Sequence, residues 1–153
     1  MPLDLSKRVR RPFEDEDIIK DLVFSAEPAF GTMADLLVFA AAFAYYEGLP
    51  RKSFEKAGEP ISLSVFVNAQ YDGFIFMLAA QSTGDFAIAS AARTDEVVQA
   101  FEEYAAAGLT ALRQKLSGHR PAVDALRDLA LVAFTPRQVS PDPDFEKLMS
   151  ELG

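Results

Sequence analysis

The stretch 33–47, MADLLVFAAAFAYYE, constrains the fold more than any other part of the chain. Met33, Leu36, Leu37, Phe39, Phe43 and Tyr45 surround its axis, with small alanines between them. A helix with no polar face has to be covered on all sides. Its apolar run, 36–46, falls short of the roughly 18 residues that cross a bilayer. The stretch therefore predicts a buried central helix with others packed round it. Thr32 is placed to cap its start, with Asp35 three residues on, and Gly48 to end it.

The neighbours follow from hydrophobic periodicity. Residues 14–25 predict a helix with Ile18, Ile19, Leu22 and Val23 on one face. Residues 70–82 predict another, with Tyr71, Phe74, Ile75, Leu78 and Ala79 in register. Thr94 reads as the cap of a long helix over 95–116. Its stripe runs Val97, Val98, Phe101, Tyr104, Ala105, Gly108, Leu109, Leu112 and Leu116. An interior glycine costs a helix about 1 kcal/mol against alanine. Gly108 lies on the stripe, so it predicts a close approach by another helix or aromatic side chain, with the central helix and its Phe39 and Phe43 as the natural candidate; the alternative is a kink at Gly108, which the unbroken stripe disfavours. Helices over 121–134 and 143–151 complete the set.

Residues 49–60 read as loop, and FAIAS, 86–90, as a short apolar turn or helix. ISLSVFV, 61–67, is either a short extended piece or a helical turn, because a lone strand has nothing to pair with. The fold class is therefore all-α: a compact single-domain bundle of about five to six helices around 33–47, with a short extended arm at the N-terminus. The helical domain is placed at 7–135, with 1–6 and 136–153 as flexible or loosely docked ends.

Composition removes several function classes. There is no cysteine, so disulfides, thiolate catalysis and cysteine-ligated metals are excluded. The charged opening MPLDLSKRVRRPFEDED has no apolar segment behind it, so it does not read as a secretory signal. A cytoplasmic location is expected. The one histidine, His119, lies in a Gly–His–Arg–Pro turn and reads as an exposed structural residue rather than a catalytic base. Zincin, P-loop and dinucleotide-binding motifs are absent. No cofactor, metal or catalytic residue is assigned. Glu102, Glu103, Asp15 and Asp17 could in principle supply a carboxylate metal centre. The Glu-x-x-His pair that such centres use is missing, so these four read as solvated acidic faces.

Charge gives the clearest local signal. Lys7, Arg8, Arg10 and Arg11 are followed at once by Glu14, Asp15, Glu16 and Asp17, in a chain of net charge −8. This is either a solvated arm leading into a helix or a basic arm that contacts phosphates or an acidic partner. Arg51, Lys52 and Lys56 form a second basic group. The order of KRVRRP, helix, FGT turn and helix also looks like a ribbon-helix-helix DNA-binding unit, with Arg8 and Arg10 alternating as a groove-reading strand requires.

Three stretches together resemble a known family: RVRRP with FEDEDIIKDLV at 8–23, MADLLVFAAAFA with GEPISLSVF from 33 to 66, and AFEEYAAAGLTALRQKL at 100–116. They are similar to DNA phosphorothioation-associated protein 4, also called Dnd system-associated protein 4. The likeness spans about residues 7–116, and the tail from 117 is outside it. Its most specific part is the Phe-Glu-Glu-Tyr-Ala-x-x-Gly-Leu helix. The resemblance implies a context rather than a reaction: an accessory protein of systems that place sulfur in the DNA backbone, or of the restriction proteins linked to them. It brings no catalytic residues. The expected function is non-enzymatic, through contact with DNA or with a protein of the same system. Lys7, Arg8, Arg10 and Arg11 are the first candidate contacts, and Arg51 and Lys52 the second. The alternatives are a ribbon-helix-helix-like regulator and an acidic protein-interaction module that never touches DNA. Oligomeric state is left open, a dimer included.

Overall fold

The computed structural model describes residues 3–116, 122–133 and 143–153. Among them are seven α-helices and one pair of very short strands. The elements run β1 (Arg8–Val9), α1 (Glu16–Phe24), α2 (Met33–Tyr46), β2 (Ile61–Ser62), α3 (Leu63–Asn68), α4 (Asp72–Thr83), α5 (Thr94–Leu116), α6 (Ala122–Ala133) and α7 (Pro143–Leu152).

The central helix forms as its sequence dictates. Alanines and straight side chains favour helix, and Val38 is the only β-branched residue in it. The Thr32 hydroxyl accepts from the Asp35 N–H at 3.1 Å. At the other end Gly48 takes a left-handed φ of 69°. Its N–H donates to Tyr45 O at 3.1 Å and the Leu49 N–H to Ala44 O at 2.9 Å, which closes the helix in a Schellman turn. Ala34, Leu36, Leu37, Ala40, Ala41, Phe43 and Ala44 are buried. Tyr45 and Tyr46, at the end, are exposed, so the last turn emerges from the core.

The main partner of α2 is α5, and Gly108 is the reason they can lie so close. A Cβ built at Gly108 would overlap the Ala40 carbonyl group. The close approach is to backbone, one residue from the expected Phe39. Phe39 instead meets Phe30 at 5.3 Å and Phe43 at 6.5 Å between ring centroids. Phe101 of α5 packs edge-on against Phe66 of α3 at 5.4 Å.

Three sequence expectations change. ISLSVFV is neither wholly strand nor a lone turn: Ile61 and Ser62 pair with the N-terminal arm, and Leu63 opens α3. The missing strand partner was the arm itself. Gln70, expected inside a helix, holds φ 65°. It closes α3, so α4 starts at Asp72. Thr94 does not cap α5 through its own side chain. It lies within the helix, its hydroxyl donating to Ala91 O at 2.8 Å and accepting from the Asp4 N–H at 3.0 Å.

The N-terminal strap and its charges

The N-terminal arm is a strap with two bonded sides. On one side it runs antiparallel to residues 56–63. Val9 pairs with Ile61 and Arg8 with Ser62. The Leu63 N–H donates to Lys7 O, the Gly58 N–H to Arg11 O and the Phe13 N–H to Lys56 O, each at 3.0 Å. Pro12 bridges Ala57, so two strap residues lie opposite three and the partner segment bulges between them. Pro12 and Pro60 have no N–H to offer, which a two-stranded edge ribbon tolerates. Val9 is fully buried, so alternation along the strap puts Arg8 and Arg10 outward.

On the other side the strap lies along α5, and their charges match in order. The strap is basic and then acidic; α5 begins with Asp95 and Glu96, carries Glu102 and Glu103, and ends with Arg113 and Lys115. That order also suits the helix dipole of α5. Lys7 pairs with Asp95 at 3.1 Å. Arg10 pairs with Glu102 at 3.1 Å, and its backbone N–H donates to the same carboxylate. Farther along, Arg113 pairs with Asp15 at 3.1 Å and also binds Asp17 and the Glu14 carbonyl. The strap therefore runs parallel to α5 along most of that helix.

The second basic group joins the same network. Arg51 pairs with Glu103 at 3.0 Å and bonds Ser82 at 3.1 Å. Lys52 pairs with Glu14 at 2.7 Å and bonds Thr110 at 2.8 Å. Arg11 turns inward to Glu16 at 2.6 Å and to the Met33 sulfur at 3.0 Å. Arg10 also lies over the Phe54 ring at 4.9 Å. Five of the six candidate contact residues thus hold carboxylates of this chain. Arg8 is exposed and holds none within the described residues.

The acidic partners were missed by the sequence reading, which took them for solvated faces. Glu102 is 4 % exposed and Asp15 is 2 % exposed, and Glu103 is largely buried too. Only Asp17 keeps the expected exposure. Burial pushes the Glu102 carboxyl above its usual range, against the opposing pull of its bonds to Arg10. Burial likewise raises Asp15, with Arg113 opposing. One oxygen of Asp15 and the Nε of Arg113 are buried with no hydrogen-bond partner. The exposed Glu14 moves the other way, held low by Lys52. The signal was present in the sequence as two complementary charge orders, 7–17 and 95–115, but periodicity along one helix does not reveal it.

The ribbon-helix-helix reading needs the N-terminal strand free to pair with a second copy. Here its ladder is made with residues 56–63 of the same chain, and the outward N–H of Arg10 goes to Glu102. Among the described residues no group of three or more acidic or histidine side chains is placed to hold a metal ion. Nor is any described helix long and apolar enough to cross a membrane. His119 lies outside the described residues.

Fold and strap define a compact, mostly helical protein whose basic opening is neutralised along a long acidic-to-basic helix. The sequence pattern of DNA sulphur modification system-associated protein 4 matches residues 8–148, and the chain belongs to that family. The match takes in α6 and most of α7, which the resemblance read from the sequence did not reach. Comparison with curated proteins and with solved structures gives no match.

Proposed function

We propose that the chain is a non-enzymatic, cytoplasmic accessory protein of a DNA sulphur-modification system, acting by docking a partner protein of that system. Family membership supplies the system. The choice of a protein over DNA rests on one observation: of the six candidate contact cations on the arm and loop, only Arg8 lacks a carboxylate partner within the described residues. Phosphate binding draws its affinity from cations that neutralise the backbone and release its counterions. Cations already held by Glu102, Glu103 and Glu16 would first have to leave buried or half-buried pairs. The free charge favours a basic partner instead: Asp21, Glu27 and Glu47 are exposed and, among the described residues, enter no ion pair. Complementary charge of this kind steers encounter and makes it salt-sensitive.

The test is co-expression of the tagged chain with the modification and restriction proteins of its own system, followed by capture at low and at high salt. One of those proteins is expected to co-purify and to be released as salt rises. Capture of none, together with salt-sensitive binding to duplex DNA, would move the function to DNA contact.

A further inference from the structure

Between the end of α1, the loop after it and the first turn of α6 lies a pocket of about 310 Å³. Ala26, Ala29 and Val123 line it with apolar surface over the fully buried Leu22, and Asp21 and Glu27 add two carboxylates. Both acids are exposed and unpaired among the described residues, in a molecule where the strap acids are nearly all engaged. The end of α1 adds a third element. Its last turn carries no basic residue, so the partial negative charge of its carbonyls is not balanced from within. Among the described residues the loop 25–31 satisfies one of those carbonyls, Leu22 O, through the Ala29 and Phe30 N–H groups at 2.9 and 3.1 Å. Phe24, next in sequence to the lining residue Ser25, is 65 % exposed.

We infer that this pocket receives an arginine side chain of the docked protein, an assignment that rests on the partner-docking reading above. The match is chemical. The methylene stem of an arginine buries against apolar surface while its head stays with polar groups. A guanidinium is weakly hydrated and carries five donors in a planar fork, enough to serve two carboxylates at once. A metal ion has no use for the apolar lining, and an anion is opposed by both acids and by the helix end. Phe24 gives the docked surface an apolar contact next to the charged one, the usual composition of an interface centre and its rim.

Two measurements test it. In the first, the isotope-labelled chain is titrated with a capped Gly-Arg-Gly peptide and with its neutral citrulline counterpart. Saturating amide shifts are expected at residues 21–29 and Val123. Both the citrulline peptide and the Asp21→Asn/Glu27→Gln variant should bind about tenfold more weakly. Equal binding of the two peptides, or shifts spread over the whole surface, overturns the pocket. In the second, the same variant replaces wild type in the co-expression capture, with Glu55→Gln/Glu59→Gln as a charge-matched control. Loss of the partner only in the first variant supports the assignment. Retention in both overturns the pocket and leaves partner docking standing. If wild type itself captures nothing, the docking reading fails, and the arginine assignment falls with it unless the peptide still binds. Both pairs of acids are exposed and unpaired among the described residues, so the two variants should melt as wild type does.

Discussion

Gly108 is the residue least free to change. Alanine there would gain about 1 kcal/mol of helix propensity. Its Cβ would also meet the backbone of Ala40, which no rotamer change can move aside. Overpacking against fixed backbone costs about 1–3 kcal/mol or more, so Gly108→Ala is expected to destabilise the fold by about 2 kcal/mol net, read from urea denaturation. An unchanged midpoint would show that α2 and α5 can separate at no cost. Asp15 is constrained electrostatically. Its pKa is raised by burial, so its contribution to stability is fully present below the ordinary aspartate value and is lost as pH rises through the raised one. Asp15→Asn cannot titrate. The stability difference between wild type and this variant should therefore be larger just below the ordinary aspartate value of 3.8 than at neutral pH. A constant difference would mean that Asp15 titrates normally in the fold.

At the scale of elements, the strap and α5 act as one unit whose pairs differ in strength along its length. Lys7 and Asp95 are substantially exposed, and such pairs are worth about 0–1 kcal/mol. Arg10 meets a buried Glu102 that also takes its backbone N–H. Arg10 itself is 45 % exposed, so Glu102→Ala returns its guanidinium to water and leaves mainly its backbone N–H unpaired, a loss of about 1–3 kcal/mol. Asp95→Ala should cost less than about 1 kcal/mol. A double-mutant cycle should find coupling at Arg10–Glu102 and little at Lys7–Asp95. Equal coupling at the two pairs would contradict the burial gradient. The same element shows what a sequence reveals and what it withholds. Helices α2, α5 and α6 were legible nearly to the residue, because caps and a 3.6-residue stripe are local. The burial of Val9 and Glu102 was not, because it depends on residues 56–63 and on α5 closing over the arm from far along the chain. Gln70 was misplaced inside a helix because nothing in its residue type announces a left-handed turn. The sequence singled out the arm and loop cations, but the carboxylates that hold five of them were read as solvated faces or passed over.

For the whole molecule, the question is how much positive charge remains for another molecule once the fold is made. The sequence reading named four cations on the arm and two in the loop as candidate contacts, and a phosphate-binding arm would lose about one unit of salt slope for each one removed. Of those six, only Arg8 stands outward without a carboxylate among the described residues, in a chain of net charge −8. The arm and the loop should then contribute no more than about −1 to the log–log salt slope of duplex binding. Arg8→Ala should bring that contribution close to zero without altering the melting temperature. Arg10→Ala should do the reverse, lowering the melting temperature while leaving the slope unchanged, since its charge is already held by Glu102. Fluorescence anisotropy against matched duplexes with and without phosphorothioate, at two salt concentrations, separates these outcomes. A slope of −3 or steeper that flattens with each of Arg8, Arg10 and Arg11 would mean that the strap leaves α5 to bind DNA. The pairs along that helix would then be a resting state rather than the working one.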